Sequence, residues 1–328
     1  MECVAPLESL KSTQGAQDNF QDFIRPLLLE GREAELCDWM KDIGLLQSSL
    51  KCITPSCNGS SLQWKKARII DKFHWICSEC KKKMSIRSGS FLEDFQCSMK
   101  GIIETVLAWC DGISPDDVIV DGKPLKTSLV KRIYNQCTNV TDWYIQRHPE
   151  LSQLGGENCV ILIDLYPDGC MTTAPHNNNY SKQLLCIADT AYMPARIWAQ
   201  VFDQDLHKDY SKVIACLQSR IRPGSLLVVT PRLFPHLRYT EGMAEIISVE
   251  ALMSLDTDDY QRSLKNLETI WATTVSVCQE VQQMNSSETN QMLRELQWRQ
   301  IFPSHAKYLF QHIVEHYKSN KNSPIHLT

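Results

Sequence analysis

The chain has 328 residues and fourteen cysteines, four of them spaced for metal chemistry. Cys52 and Cys57 are separated by four residues, Cys77 and Cys80 by two, and nineteen residues lie between the pairs. Two short-spaced pairs, each on a tight knuckle, can place four thiolates at the corners of a tetrahedron about 2.3 Å from a zinc ion. The spacing predicts a zinc ribbon with structural zinc as its cofactor. Ordinary reduced cysteines are the competing reading, which leaves unexplained why the pairs flank a basic segment holding Trp64 and Trp75. His74 could replace a ligand but reads better as packed or exposed. The other ten cysteines, Cys97, Cys110 and Cys137 among them, read as small buried residues.

From Lys51 to Arg87, nine basic side chains stand against two acidic ones, a local charge of +7. Lys65, Lys66, Arg68, Lys81, Lys82, Lys83 and Arg87 are the candidate nucleic-acid contacts. Their charges can neutralise phosphates while Trp64, Phe73 and Trp75 pack on sugar or base. A solvated lysine face is the alternative. The whole chain has 34 basic and 38 acidic residues, a net charge of −4, so the remainder is near −11. That balance excludes coating nucleic acid through bulk charge and confines any such contact to one end.

The third candidate is a carboxylate. Asp164 ends the apolar run VILID, and an acid at the tip of a buried strand has few structural reasons to be there. Two-metal phosphoryl transfer needs two or three such acids converging on Mg²⁺ ions roughly 3.5–4 Å apart. Partners are few. The run PGSLLVVT ends at Thr230 and Pro231, where an acid is wanted and a poor Mg²⁺ ligand stands. Glu268, in SLKNLETIWATT, lies on an expected helix whose Leu264, Leu267 and Trp271 could pack on a sheet; a solvated position is the plainer reading. Asp168, in LYPDG, is a substitute acid or a turn residue beside Gly169.

These side chains need elements to carry them. Apolar residues make up 43% of the chain and charged ones 22%, the balance of a folded protein. Residues 1–22 are expected to be loose, 23–50 helical, 51–94 the zinc ribbon, and 95–155 a helical domain. That helical domain could form a helix-turn-helix, with Lys126, Lys131 and Arg132 near its second helix. In 156–284, CVILIDLY, KQLLCIAD, ARIWAQVF and SLLVVT read as strands and DYSKVIACLQSRI as a covering helix, an α/β core. Residues after about 260 read as three helical pieces, broken by NSSETN and by Pro303; 285–328 is set apart as C-terminal helices. The beginning, MECVAPLESLKSTQ, lacks a basic segment followed by an apolar run, and no window reaches about 18 apolar residues. No membrane contact is expected, and the default location is reducing, cytoplasmic or nuclear.

Taken together, the order of parts resembles Merlin-type transposases, eukaryotic relatives of a bacterial insertion-sequence family. The resemblance spans about residues 25–318 and is most specific in WICSECKKKMSIRSGSFLE, while AKYLFQHIVEHY resembles the family's terminal helix. It implies a ribonuclease-H-like core of mixed sheet and helices, preceded by the zinc ribbon and a small helical domain. It also implies two aspartates and a glutamate that bind Mg²⁺ to cut and rejoin DNA. The first acid falls on Asp164 and the third on Glu268, but the second falls on Thr230. Leu162 and Leu165 replace acids around the first, and the residues before Glu268 depart from the family pattern. With that acid missing, catalysis is expected to be lost.

Three functions stay open: a catalytically dead, transposase-derived DNA-binding or scaffold protein in the nucleus; an active Mg²⁺-dependent transposase; and a protein-interaction module without nucleic acid. DNA, protein partners and a homo-oligomer are the expected associations.

Overall fold

The computed structural model describes residues 19–55, 57, 62–67, 69, 71–166, 182–193, 195–202, 210–231, 233–238, 245–249, 251 and 284–322. It is a mixed α/β protein that divides into two compact units, residues 1–140 with 302–328, and residues 141–301.

The first unit opens with α1 (Asn19–Ile24), a short 3₁₀ turn over Arg25–Leu28, and α2 (Glu33–Asp42). A three-stranded antiparallel sheet follows, with β1 (Leu62–Lys66), β2 (Phe73–Cys77) and β3 (Lys83–Met84) in chain order. Next comes α3 (Met99–Cys110), capped by Ser98, whose hydroxyl accepts the Gly101 N–H at 3.1 Å. Between α3 and α4 (Thr127–Arg147) stands a hairpin of β4 (Ile119–Val120) and β5 (Lys123–Pro124). Its turn is Asp121–Gly122, both with positive φ, as a two-residue hairpin of mirror-image type requires. A tight helix-turn-helix is therefore not what joins these helices. The reason is local: the Asp-Gly pair reverses the chain inside a segment too long for a three- or four-residue turn. The helix α8 (His305–Asn322) completes this unit, burying Leu309, Phe310 and Ile313. Phe310 meets Trp39 of α2 edge-on, at 5.7 Å between ring centroids.

The second unit is built on a five-stranded mixed sheet. Its members are β6 (Val160–Tyr166), β7 (Gln183–Asp189), β8 (Arg196–Phe202), β9 (Leu226–Val229) and β10 (Ile246–Ser248), in the order β10-β9-β6-β7-β8. β6, β7 and β8 form an antiparallel meander, whereas β9 and β10 run parallel to β6. Both faces are covered, which is why VILIDLY and QLLCIAD are near-continuous apolar runs. On one face Ile161, Ile163 and Leu165 pack with Val213 and Leu217 of α5 (Ser211–Arg220) and with Leu237 of the one-turn α6 (Phe234–Leu237). On the other, Leu162, Tyr166, Leu184 and Val228 pack with Leu293 of α7 (Ser286–Ile301).

The polar stretch NSSETN opens α7. Asn285 Oδ1 accepts the Glu288 N–H at 2.9 Å, and Glu288 Oε2 accepts the Asn285 N–H at 3.4 Å, a reciprocal cap. The Gly155–Gly156 pair before β6 has a packing reason. A Cβ on Gly155, at φ +77°, would stand 2.2 Å from Ser225 Oγ. Its N–H meanwhile donates to Asp189 Oδ2 at 2.8 Å.

Candidate functional site

The four predicted cysteines come together. The sulfurs of Cys52, Cys57, Cys77 and Cys80 all lie within 4.8 Å of one another, with Cys52 to Cys80 at 3.5 Å and Cys57 to Cys77 at 3.6 Å. Thiolates around a zinc ion at about 2.3 Å define a tetrahedron with edges of about 3.8 Å, so the cluster could hold a metal ion and is compatible with structural zinc.

Two turns make it. In the first, the Cys57 N–H donates to Thr54 O at 3.0 Å. In the second, the Lys81 N–H donates to Cys77 O at 3.2 Å and the Cys77 N–H to Lys82 O at 3.0 Å, with Lys81 at φ +60°. The Lys82 backbone N–H lowers the Cys80 thiol to about 6, and the Thr54 hydroxyl lowers that of Cys52. Burial acts the opposite way elsewhere, pushing Cys37 up to about 12, Cys216 up to about 11, and Cys97 upward. Hydrogen bonding thus favours the thiolate at Cys52 and Cys80, and burial favours the thiol at Cys37, Cys97 and Cys216.

The basic residues are less uniform than their count suggests. Lys65, Lys66, Lys81, Lys82 and Lys83 are exposed. Strand alternation places Lys65 and Lys83 on one face of the small sheet, flanking His74 and Ile76, and Lys66 on the other. Lys81 Nζ donates to Ser78 O at 2.6 Å. Arg68 lies outside the described residues.

Arg87 is a correction: it is no surface cation. It is buried, donates to Asp71 through Nε at 2.9 Å and through Nη2, and also bonds the carbonyls of Phe95 and Cys97. Its charge is spent on an internal clasp because Asp71 and two backbone acceptors reach it first. The aromatic residues are likewise internal. Phe73 and Trp75 are buried, and half-buried Trp64 meets both, with ring centroids 5.4 and 5.0 Å away. Lys41 Nζ sits 4.4 Å from the Trp64 ring centre. Their stacking surfaces are occupied by one another.

In the second unit Asp164 is 3% exposed, on the sheet face covered by α7. Oδ1 accepts the Leu165 N–H at 2.8 Å, while Oδ2 is buried without a partner. Burial raises its pKa to about 7, only partly opposed by that hydrogen bond. Ile163 pairs with Val229 in parallel register, so Asp164 and Thr230 are the next positions along neighbouring strands. Alternation turns both to the α7 face. Thr230 is also 3% exposed, its hydroxyl accepting the Leu233 N–H at 3.4 Å.

One desolvated carboxylate beside a hydroxyl does not fit a pair of Mg²⁺ ions, which call for several negative oxygens. Glu268 and Asp168 lie outside the described residues. Two buried charged groups of this sheet escaped the sequence reading. Lys182, on the same face, places Nζ 3.4 Å from Thr289 Oγ1. Asp189, at the end of β7, accepts the N–H groups of Gly155 and Ala191 at 2.8 and 3.0 Å and serves as a brace. The signal for both was a charge at the boundary of an apolar run.

Compared with protein-family models, curated proteins and solved structures, the chain matches none.

Proposed function

We propose that this chain is a transposase-derived protein whose ribonuclease-H-like core has lost its metal chemistry, and which acts through a zinc ribbon as a DNA-binding or scaffold protein. The observation that carries the reading is the adjacency of Asp164 and Thr230 at the ends of parallel strands. Two metal acids would belong there, and one of them is a threonine. The cysteine cluster supports the ribbon: Cys52, Cys57, Cys77 and Cys80 would hold zinc, which supplies cross-linking of two knuckles rather than catalysis. The exposed Lys65, Lys81, Lys82 and Lys83 support a nucleic-acid contact confined to that end, and a nuclear location goes with it.

The test has two arms. Incubating the full chain with Mg²⁺ or Mn²⁺ and labelled duplex is expected to leave the DNA intact. Nicking that Asp164→Asn abolishes would establish an active transposase instead. In a gel shift at rising salt, duplex binding is expected at low salt and to weaken steeply as salt rises. No binding at low salt would favour the protein-interaction reading, to which the net charge of −4 lends support.

A further inference from the structure

A cavity of about 390 Å³ opens along β8, the edge strand of the five-stranded sheet, between the last residue of α5 and the middle of α7. Its lining is rich in hydrogen-bond donors. The Arg220 guanidinium lies over the Trp198 ring, 5.0 Å from its centre, which holds the planar fork in place. Among the described residues no carboxylate pairs with it. The neighbouring acid, Asp142, is already engaged by Arg294 Nε and by Gln146 Nε2, the latter at 2.8 Å.

Two amides point the same way chemically. Gln200 Oε1 accepts the Cys216 thiol at 3.7 Å, leaving the amide nitrogen for another partner, and Asn290 lines the same cavity. The edge strand adds a backbone donor. The Ile197 N–H points away from β7, since it donates to Gln300 Oε1 at 2.7 Å. The pleat therefore turns the Ala199 N–H outward as well, where Ala199 lines the cavity.

We propose that this edge cavity is a binding site for an oxyanion, the phosphate or carboxylate group of a small polar ligand, anchored by Arg220. A preset guanidinium fork matches either group through two parallel hydrogen bonds. The Arg294 nitrogens left over from Asp142, the two amides and the Ala199 N–H complete a shell of donors. The cavity volume is at the scale of small-ligand sites. The site is separate from Asp164 and from the cysteines, and its occupation needs neither.

Calorimetric titration of the full chain at low salt tests it, with inorganic phosphate, a nucleoside monophosphate and succinate as separate probes. Saturable binding of at least one is expected, with affinity reduced at least tenfold by Arg220→Met and unaffected by Lys123→Ala, a change at an exposed position of β5. Binding of the phosphates alone, or of succinate alone, assigns the group. Asn290→Asp, which puts a carboxylate into the wall without touching the Arg220–Trp198 stack, is expected to weaken the same ligand by a similar factor. It decides the matter if Arg220→Met does not fold. Absence of saturable binding by the unaltered protein overturns the proposal. So does affinity indifferent to both substitutions.

Discussion

Asp164 and the cysteines define what single residues do in this protein, and each makes a prediction. Asp164 ionises in the unfolded chain near the ordinary value of 3.8 but in the fold only at about 7, because burial disfavours its charge. Its folded pKa is raised, so the stability it contributes is fully present below the unfolded value and is lost as pH rises through about 7. Asp164→Asn keeps an oxygen for the Leu165 N–H and removes the titration. Urea melts should show the variant gaining on the parent between pH 5 and pH 8, by at most about 3 kcal/mol. Equal pH dependence of the two proteins would show that the carboxyl is not desolvated. At the cysteine cluster, Cys77→Ser with Cys80→Ser should reduce zinc content from about one ion per chain to none. Unchanged zinc content would remove these four residues as ligands. The cysteine cluster and the burial of Asp164 were legible in sequence because their signals are local, a pair spacing and an acid inside an apolar run. Arg87 was not, because its fate depends on Asp71, sixteen positions away, and on two carbonyls that only the fold brings to it.

Between residues and fold stand the elements, where the Arg87–Asp71 clasp acts. It ties the segment after β3 to the turn before β2 and, through Phe95 and Cys97, to the approach to α3. The two side chains are only 6% and 9% exposed. Breaking such a pair leaves a buried charge without compensation and costs about 3–5 kcal/mol, whereas replacing both members by apolar residues of similar volume is often neutral. Asp71→Asn should therefore lower the denaturation midpoint sharply, and Asp71→Leu with Arg87→Met should recover much of the loss. A single variant with an unchanged midpoint would show that the clasp is not structural. At the N-terminus of α7, Asn285→Ala should cost about 1 kcal/mol in the same measurement, since the Glu288 N–H loses its side-chain acceptor. Strand identities were readable from apolar runs, and α4 from Val130, Ile133, Cys137 and Val140 at helical spacing. Less readable was the Asp121–Gly122 turn, whose hairpin lies inside a segment that reads only as helical.

At the scale of the whole molecule, chain order and spatial grouping diverge. α7 and α8 are consecutive and separated only by the turn at Pro303, yet α7 covers the five-stranded sheet and α8 belongs to the N-terminal unit. A periodicity reading sets both apart as C-terminal helices, because amphipathic spacing reveals that a helix has a buried face but not what buries it. The consequence is testable by truncation. α8 contributes Leu309, Phe310 and Ile313, each at most 2% exposed. Fully burying side chains of this size stabilises by about 1.5–3 kcal/mol each, a total comparable with the entire stability of an ordinary domain. A chain ending at Ile301 should therefore lose the fold of residues 19–140 while the sheet unit persists. In hydrogen exchange, amides of α3 and of α4 up to Val140 should lose protection while those of β6 and β7 keep theirs. Zinc retention should fall in parallel, since the cysteine cluster lies in the unit that loses α8. If α3 stays protected in the truncated chain, α8 is an accessory to that unit rather than part of its core. If β6 and β7 open at the same time, the two units do not fold independently, and the division at residues 140 and 302 describes contacts but not cooperativity.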